Sequence, residues 1–308
     1  MKKIRLALLA GGKSGEREVS LKGAEEVAKA LDPQKYDVKR YDPATDLAKL
    51  ATESDRLDAA FILLHGPFGE DGTVQGFLDL LGIPYQGSGV LGSAIAMDKN
   101  LSKILYRNAS LKVPEWYMAS KEDIDNPSKI LGQLGLPMVI KPASQGSSLG
   151  MTIARSEDDI AEGLKKAFAI DRQVMVEEFI AGREITGGVI GNDELTALPL
   201  VEIIPGDAYE FFDYEAKYRP GASQEICPAD LEEAITIRAQ NYALTAHRAL
   251  QLWGYSRTDM IVSGDDIYVL ETNTIPGMTP TSLLPQGAAA AGLDFPALLD
   301  RLIQLALE

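Results

Sequence analysis

Carboxylate and amide side chains meet in one segment, VLETNTIPGMTPTSLLP, at residues 269–285. Glu271 and Asn273 lie two apart at the end of an apolar strand, so they point to the same face. In a predicted hairpin with a three-residue turn at 264–266, Asp259 lies opposite Glu271 on that face. Such oxygen ligands suit Mg²⁺, which proteins hold by one or two carboxylates and substrate phosphates. A solvated hairpin end is the alternative, and a turn one residue longer would point Asp259 away.

The loop IKPASQGSSLG follows another apolar strand and begins with Lys141. Backbone N–H groups of a Gly- and Ser-rich loop can bind a phosphate, and the lysine can neutralise its charge. The same loop matches G-x-S-x-G, the nucleophile elbow of hydrolases, with Ser148 as the nucleophile. The elbow requires a helix after the turn, whereas the strand-like MTIAR follows here. The candidate bases fit no better, because His65 comes early in the chain and His247 lies in a predicted helix.

Two more loops, GGKSGEREVS and LHGPFGEDGT, follow predicted strands of an open sheet, where ligands commonly bind. Glu16 in the first could hold an ammonium group, although acids also stabilise a helix start. His65 in the second is a candidate ligand contact or a structural histidine. Glu177 and Glu184 flank a link between two strands and by themselves indicate solvated acids.

Composition narrows the function classes. The chain has 308 residues, 45% of them hydrophobic and 24% charged, as in soluble globular proteins. The net charge of −15 argues against nucleic-acid binding. Two histidines and one cysteine, Cys227, leave no His/Cys zinc site and no intrachain disulfide, which fits a reducing cytoplasm. Apolar runs are too short to span a membrane, and MKKIRLALLAGG indicates a first strand instead of a signal peptide.

The element pattern predicts a mixed α/β and α+β protein. The apolar segments IRLALLA, DAAFILLH and IPYQG alternate with helices, which is typical of a doubly wound parallel sheet. Short strands and a helix opened by Ser156 and Asp159 follow, then longer strands, a helix from about Leu231 to Leu252, and a hairpin. These changes predict domains at 1–97, 98–183 and 184–308, and the loop from Pro205 to Gly221 has the length of a lid.

Seven motifs, taken together and in order, resemble those of the D-alanine–D-alanine ligases, which are ATP-grasp enzymes. They are GGKSGEREVSL, LHGPFGEDGTVQG, GSGVLGSAIAMDKNLSK, IKPASQGSSLGM, DYEAKY, SRTDM and LETNTIPGMTPTSLLP. The resemblance runs from residue 4 to the end of the chain. It implies an ATP-grasp fold in which an N-terminal doubly wound domain precedes central and C-terminal domains, with ATP between the latter two. Gln145 and Glu178 differ from the residues common in the family.

The resemblance also implies how ATP and metal would be held. The nucleotide contacts would be Lys99 and Lys141 at the phosphates, Glu177, Glu178, Phe179 and Ile180 at adenine, and Glu184 at the ribose. The metal ligands would be Asp259, Glu271 and Asn273, holding two Mg²⁺ ions that Mn²⁺ could replace.

The implied contacts to the two D-alanine molecules come from all three domains. Glu16 would pair with the first ammonium and His65 would lie near its carboxylate. The remaining residues would be Lys217 and Ser282 at the second carboxylate, Arg257 and the Gly277 N–H at the oxyanion, and Ser147 and Tyr218, which with Glu16 would tie the lid across the site.

By resemblance, the chain is a cytoplasmic, homodimeric ligase that makes D-alanyl-D-alanine for peptidoglycan through an acyl phosphate. Tyr218 favours an amine acceptor over D-lactate. The alternatives are a D-alanine–D-lactate ligase, another ATP-grasp carboxylate–amine ligase, an ATP-binding regulatory protein and, more remotely, the serine hydrolase with Ser148.

Overall fold

The computed structural model describes residues 2–146, 149–206 and 223–308. A parallel sheet of order β2-β1-β3 comes first. The elements around it are β1 (Ile4–Ala10), α1 (Arg17–Ala30), β2 (Tyr36–Tyr41), α2 (Leu47–Glu53), a 3₁₀ turn (Ser54–Arg56), β3 (Ala59–Leu63), α3 (Thr73–Leu81) and α4 (Val90–Met97).

Strand β1 is buried on both faces, which explains its unbroken apolar sequence. Leu6 and Leu8 belong to the apolar cluster on one face, and Ala7 and Leu9 to the cluster on the other. Helices therefore cover both sides of the sheet, as a doubly wound domain requires.

One strand of this sheet was not predicted, and one predicted strand is wrong. Strand β2 was not anticipated, because only its end residues Tyr36 and Tyr41 are buried and its sequence shows no alternation. The predicted strand IPYQG forms only an isolated parallel bridge, Ala60 to Tyr85. Pro84 has no N–H to donate, although its carbonyl accepts from Ala60 N at 2.7 Å.

The second sheet is antiparallel, of order β4-β7-β5-β6. The buried residues of its core lie between Ile130 and Val176, and Tyr117, Ala119 and Ile124 pack against them. The elements of this part are α5 (Lys99–Asn108), β4 (Trp116–Ala119), a 3₁₀ turn (Lys121–Ile124), α6 (Pro127–Leu134), β5 (Met138–Pro142), β6 (Thr152–Ala154), α7 (Glu157–Phe168) and β7 (Val174–Glu178). The predicted cap of α7 is present, since Ser156 Oγ accepts from Asp159 N at 3.2 Å.

The third sheet is antiparallel, of order β11-β10-β8-β12-β13, with β9 on β8. Its elements are β8 (Arg183–Ile190), β9 (Thr196–Ala197), β10 (Val201–Pro205), β11 (Ser223–Ile226), α8 (Glu233–Ala249), β12 (Tyr255–Ser263), β13 (Asp266–Asn273), α9 (Leu283–Ala290) and α10 (Phe295–Leu307). Helix α8 is the predicted long helix, shorter at both ends.

Two helices join these layers. Helix α10 packs on the first sheet, where Leu298 and Leu302 share a cluster with Leu8. Helix α5 lies between the second and third sheets: Tyr106 Oη donates to Thr272 Oγ1 at 2.7 Å, and Asn100 Oδ1 accepts from Trp116 Nε1 at 2.8 Å. Side chains of α5 can therefore reach both walls of the gap between those sheets.

Candidate active site

A cleft opens between the second and third sheets, with a volume of about 890 Å³ including the part open to solvent. Apolar side chains such as Val139, Ile153 and Leu270 line it. The predicted nucleotide and metal residues that also line it are Lys99, Lys141, Glu177, Glu178, Phe179, Ile180, Glu184, Asp259 and Glu271. Residues that are far apart in sequence thus meet at one cleft.

Lys99 stands at the start of α5 and reaches both walls of the cleft. Asp98 caps this helix, because its Oδ1 accepts from the backbone N–H groups of Asn100 and Leu101 at 3.0 Å. Lys99 Nζ lies 2.9 Å from the Gln145 carbonyl oxygen and 3.1 Å from Glu271 Oε2. Gln145 differs from the residue that is common at this position in the family named above. The difference does not affect this contact, because the contact uses the backbone carbonyl.

Glu177, at the end of β7, lies between two lysines. Its Oε1 pairs with Lys141 Nζ, and its Oε2 lies 2.8 Å from Lys103 Nζ. Glu177 and Lys103 are buried, and Lys141 nearly so. Burial alone would raise the pKa of Glu177, but the two ammonium groups outweigh it and hold that pKa below its ordinary value.

The hairpin β12–β13 brings Asp259 opposite Glu271, as predicted. The predicted three-residue turn is nevertheless wrong. Ser263 pairs with Asp266, which leaves a two-residue turn, and the register then shifts between Asp259 and Met260. The bulge supplies the extra residue that the shorter turn lacks, so the acids meet for a different reason than the one predicted.

Both acids of the predicted metal site have partners. Arg257 donates to Asp259 twice, from Nε to Oδ1 at 2.8 Å and from Nη2 to Oδ2 at 2.7 Å. Asn273 Nδ2 also donates to Asp259 Oδ2, at 3.1 Å. Among the described residues no group of three or more His, Cys, Asp and Glu side chains could hold a metal. Two carboxylates and an amide oxygen nevertheless fit Mg²⁺, whose sites are usually completed by phosphates and water.

Glu16 lies where three loops converge. A methyl group added at Gly66 or Gly146 would come within 2.8 or 3.0 Å of Glu16 Oε2. Gly66 has a φ of 72°, which L side chains rarely adopt. These glycines let the loops after β1, β3 and β5 approach one carboxylate.

Beside Glu16 lie His65 and Glu70, a residue that sequence analysis did not single out. Burial lowers the pKa of His65, although Glu16 opposes that shift. Burial and then the charge of Glu16 raise the pKa of Glu70 to about 8. Glu70 accepts from the N–H groups of Gly66 at 2.8 Å and Ile275 at 3.4 Å. Two neighbouring carboxyl groups thus lie in this site, and the charge of Glu16 contributes to the raised pKa of Glu70.

Gly277 and Ser282 lie together before α9. A methyl group at Gly277 would come 3.2 Å from Ser282 Oγ. That hydroxyl accepts from Thr279 N at 3.1 Å, which folds the loop back on itself.

Four predicted residues, Ser147, Ser148, Lys217 and Tyr218, lie outside the described residues. The surroundings of the hydrolase motif are described, however, and strand β6 follows it where an elbow requires a helix. His247 is buried with Nδ1 2.8 Å from Ser256 Oγ, and burial lowers its pKa to about 4. His247 therefore has a structural contact.

Sequence reasoning missed Lys103 and Glu70. Lys103 follows Lys99 by one helical turn, so the i, i+4 spacing placed both on one face of α5. Glu70 belongs to LHGPFGEDGT, the loop in which His65 was singled out as a candidate ligand contact.

Two family models match the chain. "D-ala D-ala ligase C-terminus" matches residues 105–304, and "D-ala D-ala ligase N-terminus" matches residues 41–88. The D-alanine–D-alanine ligase of Syntrophobacter fumaroxidans is 60% identical over 306 residues, which cover 99% of this chain and 98% of that relative.

Solved structures are also similar over the whole chain. The D-alanine–D-alanine ligase of Bacillus anthracis complexed with ATP has a TM-score of 0.85 at 35% identity, covering 99% of this chain and 97% of its own. The VanG D-Ala:D-Ser ligase of Enterococcus faecalis has a TM-score of 0.84 at 31% identity, covering 99% and 100%.

Proposed function

The chain belongs to the D-alanine–D-alanine ligase family, and on that premise we propose that it joins two D-alanine molecules with ATP to supply a peptidoglycan precursor. The observation that carries the proposal is the single cleft at which two lysines and the Asp259–Glu271 pair meet. ATP-dependent ligation needs cations for the phosphates and oxygen ligands for a metal next to them.

We assign the two lysines to the phosphates, residues 177–180 to adenine and Glu184 to the ribose. Lys141 pairs with Glu177 and Lys99 with Glu271, so each ammonium can exchange a carboxylate for a phosphate oxygen. Asp259, Glu271 and Asn273 would hold Mg²⁺, which when bound neutralises the charge of the γ-phosphoryl group during transfer.

The reaction has two steps. The first D-alanine would bind with its ammonium at Glu16 and its carboxylate near His65. That carboxylate attacks the γ-phosphorus of ATP and releases ADP. The amine of the second D-alanine, positioned by Lys217 and Ser282, then attacks the acyl phosphate, and phosphate leaves. Arg257 and the Gly277 N–H would donate hydrogen bonds to the tetrahedral oxyanion, because fixed donors stabilise such charge.

The acyl phosphate must also be kept from water. We assign this role to the lid that Ser147 and Tyr218 would tie across the site. We further propose that the enzyme is a cytoplasmic homodimer with domains at 1–97, 98–183 and 184–308. Within the described residues no helix is both long and apolar enough for a membrane span. The similarity to a D-Ala:D-Ser ligase leaves the acceptor as the point to test.

The test is product formation from ATP with D-alanine, L-alanine or D-lactate offered separately, with and without EDTA. We expect phosphate release and D-alanyl-D-alanine only with D-alanine and Mg²⁺. Turnover that continues in EDTA, or with L-alanine as sole substrate, contradicts the proposal.

A further inference from the structure

Lys103 is a buried cation that the proposed reaction does not use. Its side chain has no exposed surface, and its Nζ lies 3.2 Å from the Pro114 carbonyl oxygen and 2.8 Å from Glu177 Oε2. A buried ammonium is destabilising unless it is paired. Glu177 is the carboxylate that balances it.

The two lysines of Glu177 differ in their access to the cleft. The Lys141 side chain is 11% exposed and lines the cleft, whereas the Lys103 side chain is 0% exposed and does not. When phosphates draw Lys141 away, Lys103 remains as the counter-charge of Glu177. Burial lowers the pKa of Lys103 to about 8, so it stays mostly protonated at neutral pH.

An ionised Glu177 can only accept hydrogen bonds, because a carboxylate has no proton to donate. Adenine presents an amino group at position 6, which donates, whereas hypoxanthine and guanine present a carbonyl oxygen there, which accepts. A protonated carboxyl could bond to either kind of base. The ionisation state of Glu177 therefore decides which purines fit.

We propose that Lys103 is a positioning residue that gives the site its selectivity for 6-amino over 6-oxo purine nucleotides, by keeping Glu177 an acceptor. The proposal rests on the proposed function, since it takes Glu177 to face the base. It assigns Lys103 an effect on base choice and none on the transfer chemistry.

The test compares ATP with inosine triphosphate, which differs from ATP at position 6 of the base. Wild type is expected to favour ATP in kcat/KM by at least about 100-fold, since sites built around a hydrogen bond reject analogues that cannot form it. Lys103→Met should lower that ratio by at least about tenfold. Lys103→Arg keeps the charge and should retain more of the ratio than Met.

A matched control is Lys129→Met, which removes another lysine paired at 3.0 Å with a buried carboxylate, Asp123. Its ratio should equal that of wild type. Glu177→Gln is the second variant if Lys103→Met does not fold, because an amide can donate to a 6-oxo group. Glu177→Gln should lower the ratio, and adding Lys103→Met to it should lower it no further.

Equal losses with both nucleotides in Lys103→Met, or an unchanged ratio in Glu177→Gln, would overturn the proposal. Calorimetric binding of the two nucleotides without D-alanine gives the same ratio independently of turnover. A wild type that binds ATP selectively but makes no dipeptide would contradict the proposed function and leave this inference standing.

Discussion

The two halves of the candidate site hold their carboxylates in different ways. On the nucleotide side, Glu177 lies between two lysines, Asp259 is bonded twice to Arg257, and Glu271 lies 3.1 Å from Lys99. On the amino-acid side, Glu16 and Glu70 lie near each other, and backbone N–H groups hold Glu70.

The difference matches what each half is proposed to bind. On the proposed nucleotide side the acids are paired with cations, which can transfer to phosphate oxygens. On the proposed amino-acid side, burial and the charge of Glu16 instead raise the pKa of Glu70, and Glu16 is the carboxylate proposed to pair with an ammonium group. Arg257 joins the halves, because it bonds to Asp259 and its charge adds slightly to the fall in the pKa of His65 and opposes the rise in the pKa of Glu70.

Removing the group that joins the halves should have the largest effect. Arg257→Ala is expected to lower the rate of dipeptide formation about 100- to 1,000-fold, the usual loss for one oxyanion donor. Affinity for a non-hydrolysable ATP analogue, measured by calorimetry, should change little. Arg183→Ala breaks a comparable arginine–carboxylate pair with Glu202 and should leave the rate unchanged. Collapse of analogue binding in Arg257→Ala would place the arginine on the nucleotide.

A methyl group at Gly66 should disturb the amino-acid side alone. Gly66→Ala adds an atom 2.8 Å from Glu16 Oε2 and strains a positive φ, so kcat/KM for D-alanine should fall more than about tenfold. Gly264→Ala is the control, with a φ of 58° and no neighbouring atoms within 4 Å. It should cost about 1–2 kcal/mol of stability from strain and spare kcat/KM. Equal kinetic losses in both variants would argue against contact with Glu16.

Glu70 should make stability depend on pH. Its pKa is raised from 4.5 to about 8, so between these values the unfolded chain releases a proton that the folded chain keeps. The contribution of Glu70 is therefore full below pH 4.5 and is lost as the pH rises through 8. In urea unfolding, the free energy of unfolding of wild type should fall between pH 5 and pH 8. Glu70→Gln should make that fall smaller by at least about 1 kcal/mol.

Asp58→Asn is the control for that experiment. Its bonds to Arg5 lower the pKa of Asp58, so its contribution is lost only in acid and should not vary between pH 5 and pH 8. A wild type whose stability follows that of Glu70→Gln at both pH values would refute the raised pKa.

The smallest effect is expected at the acceptor. Tyr218→Phe keeps the ring but would remove the hydrogen bond that we propose for Tyr218, which would be worth about 0.5–1.5 kcal/mol. We expect weaker dipeptide synthesis and detectable D-alanyl-D-lactate near neutral pH, measured by mass spectrometry with both acceptors present. An unchanged product ratio would show that Tyr218 does not select the acceptor.

Hydrophobic periodicity and motifs were sufficient to predict the buried strands and one pair of acids in the candidate site. Both buried parallel strands, β1 and β3, and the pairing of Asp259 with Glu271 were predicted correctly. Strand β2 was missed because an exposed edge strand carries little hydrophobic pattern. The hairpin turn was wrong because no residue type marks the bulge that compensates for it.

Lys103 and Glu70 show what a linear reading cannot supply. Each is an ordinary charged residue in sequence, and its effect depends on which distant groups surround it. Glu177 is 74 residues from Lys103, and the N–H group of Ile275 that reaches Glu70 is 205 residues away. Only the fold makes these residues neighbours.

The second sheet on the one hand, and the first and third sheets on the other, form two units that can open separately. Leu8 of β1, Tyr255 of β12 and Leu299 of α10 share one apolar cluster, whereas the second sheet has a cluster of its own. Amides protected by separate cores can exchange with solvent through separate partial unfolding events. In native-state hydrogen exchange, the amides of β5 and β7 should therefore exchange through an opening that leaves β1 and β12 protected. A nucleotide bound in the cleft would touch both units and should slow that opening.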